Sequence, residues 1–306
     1  MKIFTRPFLL SAICLLSLNA FSQTPTAVRN LILQADALQD DEKYPEAIAK
    51  YREVLKADPA NERAQFQLAT VLKTTGKTNE ALPILEKLAA SPMAEVGVFD
   101  MLGGIYNEAK EYDKAGAAYL KGADGYPEEQ KPQLNLTNFY LQQKKYPEAE
   151  ARAIAAIKID PQDSDSQYAY AQAVTAQNKN TQALLVWISF LILDPDGDRA
   201  TAAFKTVERL LPAAPNATGD ANEQLAAQLK AAFENMGKTT ASATDTFFKS
   251  FYVDYFYKLS QTNNIPTFAR GISLSARPAN KEWLAAHSKE VNQLAMWVNT
   301  VPRLFN

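Results

Sequence analysis

The chain has 306 residues, of which 32 are basic and 34 are acidic, and its formal net charge is −2. This balance of charge excludes a general attraction for nucleic acid or for an anionic membrane surface. One cysteine and one histidine also exclude an intrachain disulfide and a metal site built from several histidines.

The first 22 residues have the pattern of a secretory signal peptide. Lys2 and Arg6 form a basic start, and the apolar run from Phe8 to Leu18 is followed by small residues suited to cleavage. This run has 11 residues, whereas a membrane-spanning helix needs about 20. We therefore expect residues 1–22 to be removed on export, leaving a periplasmic or secreted chain without cysteine and without a transmembrane anchor.

Residues 28–197 contain one pattern five times, at a spacing of 34 residues. An alanine recurs at this spacing, and the residue twelve places before it is small or a threonine. The alanines are Ala47, Ala81, Ala115, Ala149 and Ala183, and the residues before them are Ala35, Ala69, Gly103, Thr137 and Ala171. A fixed period of this length is typical of helical solenoids.

Each copy predicts two antiparallel helices, which we name helix A and helix B. The small residue on helix A lets the two helices approach closely at the alanine of helix B. A larger side chain four residues after the alanine, such as Tyr119 or Trp187, lies on the same helical face and fills the space toward the next copy. A proline then ends helix B in most copies, because it has no N–H to donate.

This pattern resembles the tetratricopeptide repeat. The third copy matches nearly the whole pattern of that family, at Phe99, Leu102, Gly103, Tyr106, Tyr112, Ala115, Tyr119 and Pro127. The resemblance implies an all-α fold, an α-solenoid of about five tetratricopeptide repeats.

After the fifth copy the 34-residue phase is lost. Residues 198–237 carry two apolar stripes and predict a divergent helical pair, which would be a sixth repeat with a longer turn. Residues 238–306 predict a helical C-terminal subdomain. Its aromatic face, from Phe247 to Leu259, suits a cap over the exposed end of the solenoid. A membrane-surface helix would carry more lysine and arginine on its polar face.

In the tetratricopeptide family, helices A line a concave surface, toward which the second, fifth, ninth, twelfth and thirteenth residues of each copy point. The resemblance therefore predicts a binding face whose side chains the internal core does not need. Large anchors beside amides suit a protein or peptide segment, and the cations among them favour an acidic one. The predicted partner-binding residues are Arg63, Phe66, Asn107, Lys131, Leu134, Asn138 and Tyr168.

The sequence predicts no catalytic, cofactor-binding or metal-binding residue. His287 is the single histidine, and no serine lies in a nucleophile motif. The acidic turn at residues 194–198 lacks the glycine and glutamate that a calcium loop has at its sixth and twelfth positions.

These observations favour a non-catalytic scaffold of the cell envelope that binds a protein or peptide in its groove. Two alternatives remain open at this point. One is a structural subunit of an envelope assembly, held through its ends and its convex face. The other is an enzyme whose site lies in the C-terminal segment.

Overall fold

The computed structural model describes residues 25–213, 218–239 and 246–301, and their regular structure is helical throughout. The predicted signal peptide lies outside the described residues. The repeat region forms α1 (Pro25–Asp40), α2 (Tyr44–Ala57), α3 (Glu62–Thr74), α4 (Thr78–Ala89), α5 (Val96–Glu108), α6 (Tyr112–Gly125), α7 (Gln130–Gln142), α8 (Tyr146–Ile159), α9 (Ser164–Ala176) and α10 (Asn180–Leu193). Odd-numbered helices are therefore helices A, and even-numbered helices are helices B.

The chain divides into two compact units, Met1–Val98 and Phe99–Asn306. In the first unit α1 packs against α2, α2 against α3, and α3 against α4. In the second unit α7 packs against α8, α8 against α9, and α9 against α10. Successive helices in these two series thus contact each other, as expected for stacked helical repeats.

The helix crossings confirm the predicted register. All five recurring alanines, Ala47 to Ala183, are 0% exposed. The residues twelve places earlier are buried as well. At Gly103 an added Cβ would lie 2.5 Å from the Tyr119 ring, so this crossing has no room for a larger side chain.

The turn between helices A and B also repeats, which the sequence analysis did not anticipate. The second residue after helix A has a positive φ in every copy, between 57° and 75°. Two backbone hydrogen bonds close each turn; in the fourth copy Lys144 N donates to Leu141 O, and Lys145 N donates to Tyr140 O. This is a Schellman ending, which favours glycine. The five positions are occupied by Glu42, Gly76, Lys110, Lys144 and Asn178.

The remaining helices belong to the second unit. They are α11 (Ala200–Leu210), α12 (Ala221–Thr239), α13 (Thr246–Phe248), a π-helical turn (Lys249–Val253), α14 (Asp254–Ser260), α15 (Ile265–Ile272), α16 (Ala279–Ala286) and α17 (Ser288–Thr300). Helix α11 packs against α10, whereas α12 packs mainly against α14 and α15. No helix in the described ranges is long and apolar enough to cross a membrane.

The C-terminal helices pack against the last repeat and cap it, as the aromatic pattern predicted. The aromatic side chains from Phe247 to Phe256 are buried in one core with α9, α10 and α11. The Tyr252 hydroxyl donates a 2.7 Å hydrogen bond to Gln167 Oε1 on α9. Ser275 N donates to the carbonyl of Pro195, just after α10.

Candidate functional site

The predicted partner-binding residues all lie on helices A, within the two units. Arg63 and Phe66 are on α3 in the first unit, and Asn107, Lys131, Leu134, Asn138 and Tyr168 are on α5, α7 and α9 in the second. Each is half-buried or exposed, because these positions point away from the crossing with helix B.

In the first unit, both predicted residues, Arg63 and Phe66, already contact other residues of the protein. The Arg63 guanidinium forms a 2.7 Å ion pair with Asp36 on α1, and Asp36 also accepts a hydrogen bond from the buried Tyr51 hydroxyl. Burial and this hydrogen bond raise the pKa of Tyr51. Phe66 is half-buried, and its ring lies against Gly97 at the start of α5. Phe66 thus lies outside the buried core, although its ring is partly covered, and the charge of Arg63 is already compensated.

In the second unit, Asn107 connects two successive helices A. Its Nδ2 donates a 2.9 Å hydrogen bond to Gln142 Oε1 on α7, while its Oδ1 is buried without a hydrogen-bond partner. Burial raises the pKa of Tyr119, and the nearby carboxylates of Asp100 and Glu108 raise this pKa further. This part of the helix A face is therefore acidic.

Helix α7 supplies two of the three exposed residues of the predicted set; the third is Arg63. Lys131 and Asn138 are exposed, and Leu134 is half-buried. Because α7 begins at Gln130, these residues occupy its second, fifth and ninth places and lie on one helical face. They can contact a partner without disturbing the helix crossing beneath them.

A cleft of about 470 Å³ lies on this face in the second unit, and we name it the groove pocket. Five successive helices, α7 to α11, contribute to it. Its lining residues are uncharged, and they are Leu141, Tyr146, Tyr168, Gln172, Thr175, Ala176, Trp187, Ala202, Ala203 and Thr206. A cleft of this volume is within the range of protein ligand sites.

Tyr168 is held in the wall of the groove pocket by aromatic and cationic neighbours. Its ring makes edge contacts with Trp187 and Phe190, at centroid distances of 5.3 and 5.2 Å. The Arg199 guanidinium lies 4.5 Å from the ring centroid. Arg199 in turn pairs with Asp165 at 2.8 Å. Tyr168 is thus a fixed wall of the pocket, with less ring surface to offer a partner than its sequence position suggested.

Trp187 forms the floor of the pocket and is only 6% exposed. Its indole Nε1 donates a 2.9 Å hydrogen bond to Thr175 Oγ1, and the Thr175 hydroxyl donates to the Ala171 carbonyl at 2.6 Å. The polar atoms at the floor therefore satisfy one another.

Sequence reasoning missed most of this pocket. Thr175 and Ala176 occupy the twelfth and thirteenth places of the fifth copy, so the family pattern could have included them. Ala202 and Thr206 occupy the fifth and ninth places that a sixth copy would have. The signal was hidden because the full repeat pattern is lost after the fifth copy.

The acidic turn at residues 194–198 and His287 lie outside the groove, and they take part in ion pairs and ring stacking. Asp194 forms an ion pair with Arg199, and Asp196 forms one with Lys281. His287 stacks on Trp283 with ring centroids 3.8 Å apart. Within the described ranges, no group of three or more histidine, cysteine and acidic residues could hold a metal ion.

Comparison with known families agrees with this architecture. Residues 38–92 and residues 138–189 match family models described as tetratricopeptide repeat. The chain therefore contains tetratricopeptide repeats, and the predicted all-α solenoid with a helical C-terminal cap is confirmed.

Two curated relatives match parts of the chain. Cell division cycle protein 27 homolog A from Arabidopsis thaliana is 32% identical over 79 residues, 26% of this chain. Cellulose synthase operon protein C from Pseudomonas fluorescens (strain SBW25) is 25% identical over 136 residues, 42% of this chain. The match spans only 11% of either relative's length.

Solved structures share the fold over longer stretches. A tetratricopeptide repeat protein from Parabacteroides merdae ATCC 43184 is 16% identical, with a TM-score of 0.51 over 85% of this chain and 98% of that chain. YrrB, described as a TPR protein with an unusual peptide-binding site, is 18% identical, with a TM-score of 0.50 over 60% of this chain and 99% of that chain. At these identities the likeness concerns the fold.

Proposed function

We propose that this protein is a non-catalytic interaction scaffold that binds a protein or peptide segment along its helix A face. The observation that carries the proposal is the groove pocket, a concave, uncharged site on the face that the repeat pattern predicts for binding. Accessible side chains on α7 continue this face. Fold alone does not assign a partner, but the description of YrrB as peptide-binding is a useful analogy.

The groove is suited to a segment held by packing and by amide hydrogen bonds. Leu134 offers apolar surface, and the exposed Asn138 and Gln172 amides can pair with a bound backbone. Lys131 is exposed, whereas Arg63 is paired with Asp36. We therefore retain a preference for acidic segments, but we expect it to arise at Lys131 on α7 and not at α5, which carries Asp100 and Glu108.

The test is a variant of α7 that combines Leu134→Ala with Asn138→Ala. It avoids Phe66, whose removal would also disturb packing against Gly97. We expect partners captured from a cell-envelope extract to bind the variant at least about 30-fold more weakly, with little change in the melting curve. Glu148→Ala, an exposed change on α8, is the control and should leave binding intact.

If every captured partner binds the α7 variant at wild-type strength, the groove proposal fails. A structural subunit held through other surfaces would then explain the protein better. Activity that persists in isolated protein and depends on the C-terminal helices would instead favour the enzyme alternative.

We also propose export to the periplasm or beyond, on the basis of the basic and apolar pattern in residues 1–22. Mass spectrometry of the N-terminus of the cellular protein should then find Gln23 as the first residue. Retained Met1, or a lipid on Cys14, would contradict cleavage after Ser22.

A further inference from the structure

Three polar side chains that line the groove pocket, Trp187, Thr175 and Thr206, are already paired within the protein. The Trp187 indole and the Thr175 hydroxyl form an internal chain of hydrogen bonds. On the opposite wall, the Thr206 hydroxyl donates a 3.1 Å hydrogen bond to the Ala202 carbonyl of its own helix. A charged or strongly polar occupant would lose its hydration without finding free partners at these groups, which is costly.

The apolar part of the wall suits a large side chain. Leu141, Ala176, Ala202 and Ala203 line the cleft, and the Trp187 floor adds an aromatic surface. The pocket volume of about 470 Å³ can hold a whole aromatic or aliphatic side chain. Burial of such a side chain in the pocket is favourable, because its apolar surface leaves water.

The register of α11 places one basic side chain beside the pocket. Arg209 is exposed and lies on the same face of α11 as Ala202 and Thr206, at the spacing of one and two helical turns. Asp165, the acid on the helix A face of the fifth copy, is paired with Arg199 at 2.8 Å. No acidic side chain lines the pocket itself.

We propose that the groove pocket receives one bulky apolar side chain from a protein segment that carries an aspartate or glutamate close to it. The inference rests on the proposed function, since it names the chemistry of the segment that the groove binds. The apolar side chain occupies the cleft, and the carboxylate lies toward Arg209. The Gln172 amide at the rim is available to the backbone between them.

The probe is a random library of peptides of about 12 residues, a length that suits extended binding in a groove. Peptides selected on the full chain should share a Leu, Met, Phe, Tyr or Trp with an acid within a few residues. Replacing that apolar residue by alanine should weaken binding about 30-fold or more, as expected for a central anchor. Selection of no peptide above background, or of peptides without this pattern, would overturn the inference.

Two pocket-filling variants locate the binding site. Ala202→Trp fills the pocket from α11, and Ala176→Trp fills it from α9; both alanines are exposed, so the fold should tolerate them. Either should weaken binding of the selected peptides about 30-fold or more, while Thr201→Trp, an exposed neighbour outside the lining, should change it by less than about 2-fold. Arg209→Ala should weaken it about 3-fold and reduce its dependence on salt.

The outcomes separate the two proposals. Peptides that are insensitive to both pocket variants but weakened by the Leu134→Ala and Asn138→Ala change would overturn the pocket assignment and leave groove binding intact. Peptides that are insensitive to all of these variants would overturn groove binding as well.

Discussion

The crossings within the helical repeats are built from small side chains, whereas the C-terminal helices pack through aromatic rings. Ala115 is 0% exposed at such a crossing, and the Tyr119 ring packs directly against Gly103. Around the π-helical turn, Phe247 stacks on Phe251 at 5.3 Å, and Phe251 meets Tyr252 edge-on at 4.8 Å.

The difference follows from what each region must bury. Every repeat contains the same helix crossing, so its two helices must approach to the same distance each time. Small residues at fixed places allow this approach. The C-terminal helices fill one irregular space against α9 and α10, and large rings cover more surface per residue. A contact that is repeated therefore appears in the sequence as a fixed spacing of small residues. A contact that occurs once appears only as a segment rich in apolar residues.

The largest expected effect lies in the aromatic region. Phe251 is 0% exposed, and Phe251→Ala should reduce the free energy of unfolding by about 3–5 kcal/mol, because it empties a packed site. Urea unfolding followed by tryptophan fluorescence measures this, since all three tryptophans lie in the second unit.

Met296 provides the control for that measurement. It is 68% exposed, and Met296→Ala should cost less than about 0.5 kcal/mol. Similar costs for both changes would show that the aromatic region is not a tightly packed core.

An intermediate effect is expected at a repeat crossing. Ala115→Leu adds three carbon atoms where no space exists and should cost about 1–3 kcal/mol. Ala117→Leu makes the same change at an exposed place on the same helix and should cost less than about 0.5 kcal/mol. Equal urea midpoints for the two variants would mean that the crossing is less constrained than its burial indicates.

The smallest expected effect is a gain in stability at a repeated turn. Lys144 has a φ of 58°, which costs a residue with a side chain about 1–2 kcal/mol. Glycine avoids this cost but loses about 0.5–1 kcal/mol in chain entropy. Lys144→Gly should therefore raise the free energy of unfolding by about 0.5–1 kcal/mol.

Lys144→Ala should leave stability nearly unchanged, because alanine keeps the unfavourable backbone conformation. Thermal unfolding of both variants checks the prediction. A glycine variant no more stable than the alanine variant would show that the left-handed conformation is not strained at this turn.

The helix A face shows how far sequence reasoning reached toward function. The family pattern identified exposed positions on α7, because side chains there point away from the crossing. It did not anticipate that Arg63 pairs with Asp36, 27 residues earlier, or that Phe66 rests on Gly97. Charge and accessibility at these places depend on neighbours from the adjacent copies, which vary while the repeat landmarks do not.

The sequence by itself determined the helical repeats and their register, because the crossings demand small residues at a constant spacing. Only the tertiary structure decided the groove pocket. Its floor is the Trp187 ring, which a hydrogen bond to Thr175 holds in place. One wall comes from Ala202 and Thr206, which lie beyond the last recognisable copy. Those residues carry no pattern of their own, and they form a site because α11 packs against α10.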